Sequence, residues 1–289
     1  MDELSSRSVI SALINMLDDP DEKVFTLIRE KLLQFGKPVI RMIDDALDNC
    51  FDETLEGRMV ALRDDILMQD LNKELVQWRD HDGDNLLRGF ILVSSLDDRN
   101  LDEVEIRSMI AQIKTDVWIE LHEGLTALEN IKVINHVLFR IHKFEGNKDD
   151  FAAAENSYIQ WVLKNRKGSP LTLGMIYLII ARQLGLPVFG VNLPQHFILT
   201  YLNRQEIENP AASDVMFYIN PFNNGTMFSR HEIDQYITQL KIKSEPSFYK
   251  PCSNQDIIRR LLQNLLFAFR TKGPDYRVQQ IEKLLNIFS

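Results

Sequence analysis

The sequence predicts an α+β protein: a helical N-terminal region, a core in which a small antiparallel sheet packs on a central helix, and a short helical tail. Three observations carry this. Apolar residues recur at helical spacing through the first half of the chain. Runs rich in branched and aromatic residues, "VFGVNL" and "HFILTYL", first appear after Pro187. Helical patterning then returns from Asn254 to the end. With 289 residues, the chain has room for one large or two modest domains, and 45% hydrophobic against 26% charged residues is the balance of a soluble globular protein.

The N-terminal elements follow from their stops. "SVISALINMLDD" has helical spacing and ends at Pro20, "DEKVFTLIREKLLQFG" opens with acids and stops at Gly36, and "KPVIRMIDDALDNC" begins with Pro38 near its first turn. Helix, Asp-Pro turn, helix, Gly stop and helix together look like one HEAT-like repeat. A long charged helix over 52–79 runs into the turn "HDGD", a boundary candidate. Two further helical stretches follow, and the second needs a break, expected at Gly124. The strands over 188–202 and "VMFYINPFNNGTMFS" make about three, joined by short turns that suit antiparallel pairing. "QDIIRRLLQNLLFAFRTKG" and "DYRVQQIEKLLNIFS" form a TPR-like hairpin about a Gly-Pro break. The expected division is 1–82, helical and HEAT-like; 83–250, the core; and 251–289, the C-terminal hairpin.

Bulk properties exclude several functions. A net charge of −9 argues against a general nucleic-acid binder. Two lone thiols, Cys50 and Cys252, make neither a disulfide framework nor a zinc site. The acidic N-terminus does not read as a secretory signal, and the longest apolar run, "LGMIYLIIA", is too short for a bilayer, so a cytoplasmic location is expected. His136 and His142 lie six apart, which does not put them on one helix face for a metal, and with His81, His122 and His231 they read as surface or half-buried residues. "LDDPDEK" and "SLDDRNLDEVE" lack the order of a calcium loop. Trp78, Trp118 and Trp161 read as packing residues. No metal or cofactor is expected.

The stretch "NRKGSPLTLGMIYLIIARQLGLPVFGVNLPQHFILTY" is where chemistry would sit. Ser169 is a good N-cap and Pro170 suits the first helical position. The helix is apolar nearly all round, as a central helix is, and Gly174 would let a neighbour approach its backbone. Gly185 and Pro187 end it. That account is complete for a core helix. The functional account adds that a cysteine at this helix start would have its thiolate stabilised, would need a histidine as base, and would need a carboxylate or amide to orient that imidazole. His196 lies on the next strand, and Asn220 closes the one after it.

These residues carry a resemblance. Asn156 and Tyr158; Arg166, Gly168, Pro170, Thr172 and Leu173; Leu184 to Pro187; Pro194, His196 and Phe197; and Pro221, Phe222 and Gly225 are spaced as in the transglutaminase-like superfamily, and within it the SirB1-like branch. The resemblance covers roughly residues 100 to 250 and implies a transglutaminase-like (papain-like) core. It also implies a Cys-His-Asp triad. The histidine position falls on His196 and the aspartate on Asn220, whose amide can still orient an imidazole. The cysteine position falls on Pro170, and proline is common there in the SirB1-like branch. Ser169, Thr172, Pro194, Phe197 and Phe222 are the expected cleft residues. The chain therefore resembles a catalytic scaffold without its nucleophile. Three readings follow: a non-catalytic protein that binds a protein or peptide partner; a residual hydrolase or acyl transferase using His196 and Asn220 with an unidentified nucleophile; and a purely structural role, with His196 held in the core and no open cleft.

Overall fold

The Asp-Pro break and the Gly stop fall between helices, where the sequence places them. Helix α1 (Glu3–Ile14) precedes the break, and α2 (Glu22–Phe35) begins where Asp21 accepts the N–H of Lys23 at 2.8 Å. Gly36, at φ +66, ends α2, and Pro38 starts α3 (Pro38–Leu47). Asp52 then caps the 29-residue α4 (Glu53–His81) by accepting the N–H groups of Thr54 and Leu55. The computed structural model describes residues 3–97, 101–150, 152–203 and 211–288; residues 98–100 of the acidic run at 95–105 lie outside it. The chain forms two units, Met1–Gln77 and Trp78–Ser289. The first has its own core, in which Leu17, Ile28, Leu32, Ile43 and Leu62 are buried.

The second unit is mixed. Trp78 donates through its indole N–H to the Asn85 carbonyl, and Asn85 caps α5 (Leu86–Ser94), a helix buried on nearly every side. Helix α6 (Glu103–Glu120) is followed by the expected break: residues 121–126 contain Gly124, and a Thr126–Glu129 capping box starts α7 (Ala127–Asn135). That helix continues as a π-helical turn, His136–Ile141. A two-residue strand β1 (Glu145–Gly146) pairs in parallel with β2 (Lys167–Gly168), and α8 (Ile159–Asn165) lies between them. Helix α9 (Pro170–Gln183) is the central helix, with every residue from Pro170 to Ala181 buried.

The sheet has four antiparallel strands in sequence order: β3 (Val188–Leu193), β4 (His196–Leu202), β5 (Val215–Asn220) and β6 (Thr226–Phe228). Sequence spacing predicts about three. The fourth arises because "VMFYINPFNNGTMFS" is two strands: Pro221 opens a 3-10 turn, Pro221–Asn223, and the chain folds back. One sheet face packs on α9, where a Cβ added at Gly174 would come within 2.7 Å of the Phe197 ring. The opposite face meets α10 (Arg230–Gln239), whose Ile233 and Ile237 join Val191, Leu193, Ile198 and Tyr218. Helices α11 (Asn254–Lys272) and α12 (Asp275–Leu285) pack on each other. Helix α11 also contacts α5, α9 and the 3-10 turn Ala154–Ser157, so the C-terminal hairpin belongs to the second unit.

Candidate functional site

Ser169 begins the site because it begins α9. Its Oγ accepts the N–H of Thr172 at 3.2 Å, and Thr172 Oγ1 accepts the N–H of Ser169 at 3.0 Å. The two hydroxyl oxygens lie 3.1 Å apart and share a proton donor between them. This reciprocal cap fills both hydroxyls with structural work. Pro170 follows at the first helical position and offers no side-chain donor or acceptor.

His196 starts β4 directly after the turn Pro194–Gln195, which joins it to its pairing partner Leu193 in β3. Gln195 holds φ +58, a left-handed value uncommon for a residue with a side chain. Tyr236 of α10 secures this tip: its hydroxyl donates to the Pro194 carbonyl at 3.0 Å, and its ring lies against His196 with centroids 6.3 Å apart. Since Leu199 pairs with Ile219, one step further along the ladder sets Asn220 beside Ile198, on the face that also carries His196. The Asn220 side chain faces His196 and raises the pKa of its imidazole. Its own Oδ1 accepts the N–H groups of Phe222 and Asn223, which fixes the amide behind the imidazole.

Burial pulls the His196 pKa below its ordinary 6.5; the nearby Asn220 amide raises it, and the positive charge of Arg260 lowers it again. The ring is accordingly neutral at pH 7, the form a general base or a hydrogen-bond acceptor needs. Arg260 arrives from α11. Its Nη1 donates to Asn192 Oδ1 at 3.1 Å and to the Leu193 carbonyl at 2.8 Å, and burial lowers its pKa.

These elements enclose a cleft of about 530 Å³, lined on one side by Ser169, Pro170 and Leu171, on another by Gln195, His196 and Phe197, and by Arg260, Asn264 and Phe267 of α11. Ala152, Ala153, Asn156 and Ser157 complete it. Of the residues singled out in the sequence, Asn156, Ser169, Pro170, His196 and Phe197 line this cleft together. Thr172 is fully buried, with its hydroxyl turned back into the cap. Pro194 sits in the turn and presents its carbonyl to Tyr236. Phe222 lies against Gly146, where an added Cβ would come within 2.4 Å of its ring. Cys252 lies outside the lining, and burial pushes its thiol up to about 12. His142 pairs with Asp116 at 2.7 Å and His231 with Gln235 at 3.0 Å. Among the described residues, no group of three or more His, Cys, Asp or Glu is placed to hold a metal ion, and no helix is long and apolar enough to cross a membrane.

A model of the transglutaminase-like superfamily matches residues 104–263, more than half of the chain and all of the cleft lining named above except Asn264 and Phe267. The chain belongs to the transglutaminase-like superfamily. Its relatives include F-box only protein 21 of Mus musculus, 31% identical over 160 residues that make up 55% of this chain and 25% of that protein. They also include the UPF0162 protein YchA of Escherichia coli (strain K12), 26% identical over 183 residues, 62% of this chain and 65% of the relative. A UPF0162 protein of Vibrio cholerae is 33% identical over 128 residues, 43% of this chain and 44% of its own. The matched part thus spans less than two thirds of each of these relatives. No solved structure matches the chain. The UPF0162 relatives are consistent with the SirB1-like branch of the superfamily.

Sequence reading missed four contributors to this site: Arg260, Asn264 and Phe267 on α11, and Asn135 at the end of α7. Asn135 donates to the Gly225 carbonyl at 2.8 Å and accepts the Tyr177 hydroxyl at 3.1 Å, so it ties the turn that carries Asn220 to the central helix. The spacing of Arg260, Asn264 and Phe267 at i, i+4 and i+7 was visible, since it sets all three on one helix face. For Asn135 no local signal existed, because its partners are 90 and 42 residues away.

Proposed function

We propose that this protein is a non-catalytic member of the superfamily that binds a peptide, or a peptide segment of a protein partner, in the cleft beside His196. One observation carries the reading: Pro170 lines the same cleft as His196, and it is the residue on which the resemblance puts the superfamily's nucleophilic cysteine. A ring carbon there cannot attack a carbonyl, whatever His196 does. The remaining lining supports peptide binding, since apolar walls with a few placed polar groups are the usual make-up of such a pocket. The relatives support a binding module too, because in F-box only protein 21 the shared segment is a quarter of a longer chain. The HEAT-like and TPR-like character of the flanking helices fits the same role, as such repeats present binding surfaces.

Residual hydrolysis is the second reading, favoured by one fact: Ser169 lines the cleft with His196. Its Oγ is held by the cap of α9, which opposes attack. The test pairs turnover with binding. Wild type and His196→Gln should release p-nitrophenol from p-nitrophenyl acetate at the same background rate. Peptides selected from a displayed random library should bind wild type and be lost in Ala153→Trp, which fills the cleft. A turnover rate that depends on His196 and on Ser169 would restore the enzyme reading.

A further inference from the structure

Arg260 is a half-buried cation in the cleft, and among the described residues it has no carboxylate partner. Its two hydrogen bonds both leave from Nη1, toward Asn192 and Leu193 of β3. The edge formed by Nε and Nη2 has no partner among the described residues. That edge is the one that receives a carboxylate side-on, through two parallel N–H···O bonds. Among the described residues, no Asp or Glu lines the cleft to fill it. A guanidinium withdrawn from water without a counter-charge is a costly arrangement, and an incoming anion relieves it.

The same helix face continues to Asn264 and then to Phe267, whose side chain is 64% exposed although it lines the cleft. Seven residues of α-helix separate Arg260 from Phe267, about 10 Å along the axis. An extended peptide advances about 3.3 Å per residue, so it covers that distance in about three positions. Asn264, lying between, has a side-chain amide without a partner among the described residues and suits the peptide backbone.

We propose that the cleft recognises a peptide carboxylate, held side-on by Arg260, with an apolar residue about three positions away resting on Phe267. This rests on the peptide-binding reading above and names its ligand class. The carboxylate belongs either to an acidic side chain or to the chain end, which share this chemistry.

The experiment is a selection of random octapeptides with free C-termini on the full-length protein, followed by fluorescence anisotropy of one enriched peptide. Enriched sequences should carry a carboxylate about three positions from an aromatic or branched aliphatic residue. Arg260→Gln should weaken binding by about 30-fold or more, as loss of one partner of a desolvated charge pair does. Because Arg260 also braces β3, Asn264→Asp is measured in parallel: it adds a repelling charge beside the guanidinium and removes no hydrogen bond among the described residues. Loss of binding on C-terminal amidation alone assigns the carboxylate to the chain end, and loss on Asp→Asn or Glu→Gln within the peptide assigns it to a side chain. Enriched peptides with no apolar residue about three positions from a carboxylate, peptides that keep their affinity when amidated and stripped of Asp and Glu, or peptides indifferent to both Arg260→Gln and Asn264→Asp overturn the proposal and leave peptide binding standing. No enrichment at all overturns both.

Discussion

At the scale of single residues, the site sets a histidine whose pKa is lowered by burial in one cleft with Pro170, the first residue of α9. The depressed His196 pKa makes a stability prediction with a definite sign. Between the folded pKa and the ordinary 6.5, the unfolded chain binds a proton at this residue and the folded chain does not. The contribution of His196 is therefore present in full above the unfolded value and is lost as pH falls from there through the folded pKa. The groups facing the ring are Asn220, Tyr236 and Arg260, and none of them is an acid that would reverse the sign. The stability of wild type relative to His196→Gln should decline from about pH 7.5 to about pH 5. Urea denaturation of both proteins across that range measures it, and a difference independent of pH would show that His196 titrates normally. A second residue-scale prediction concerns Pro170→Cys. A thiol at this helix start, beside His196, should ionise below about 7.5. Thiolate absorbance, with Cys50 and Cys252 replaced by serine, reads that value directly; a thiol titrating at or above its ordinary value would mean that this helix start does not stabilise a thiolate.

At the scale of elements, what holds the site are the cap of α9 and the turn after β5. Ser169→Ala removes the acceptor for the Thr172 N–H in a buried setting and should cost about 1–2 kcal/mol. Gly225→Ala should cost more, about 3 kcal/mol. Its φ is +71, and the added Cβ would come within 1.9 Å of Asn135 Oδ1. That change also frees the turn that holds Asn220, so the His196 pKa should move with it; NMR titration of the imidazole and thermal melts check both effects. The same elements show what the sequence made legible. Helix α9, β3 and β4 were readable because capping, apolar patterning, Gly185 and Pro187 all agree at the local level. Asn220 was readable because an Asn-Pro pair ends a strand. Strands β1, β2 and β6 were not, since two or three residues are too few for alternation to register. Helix α10 was overlooked although Ser229 and Glu232 form a capping box at its start. Arg260 was beyond local reading, for its importance comes from the β3 tip that it braces, 67 and 68 residues away.

At the scale of the whole molecule, every described residue lining the cleft lies between Ala152 and Phe267, within the unit that runs from Trp78 to Ser289. The chain as a whole carries a net charge of −9, so a peptide bearing a carboxylate approaches a repelling field and is captured only by a local cation. These two effects respond differently to salt. The long-range repulsion acts across solvent and is screened within about 8 Å at physiological ionic strength. The contact with Arg260 is partly desolvated and is screened far less. Association of an acidic peptide should therefore become faster as salt rises from about 0.01 M to about 0.15 M, while dissociation changes little. Stopped-flow anisotropy separates the two rates. A strongly basic site would show the opposite, with association slowing as salt is added. That result would place the ligand on a cationic surface away from this cleft, since Arg260 is the cleft's single arginine or lysine among the described residues.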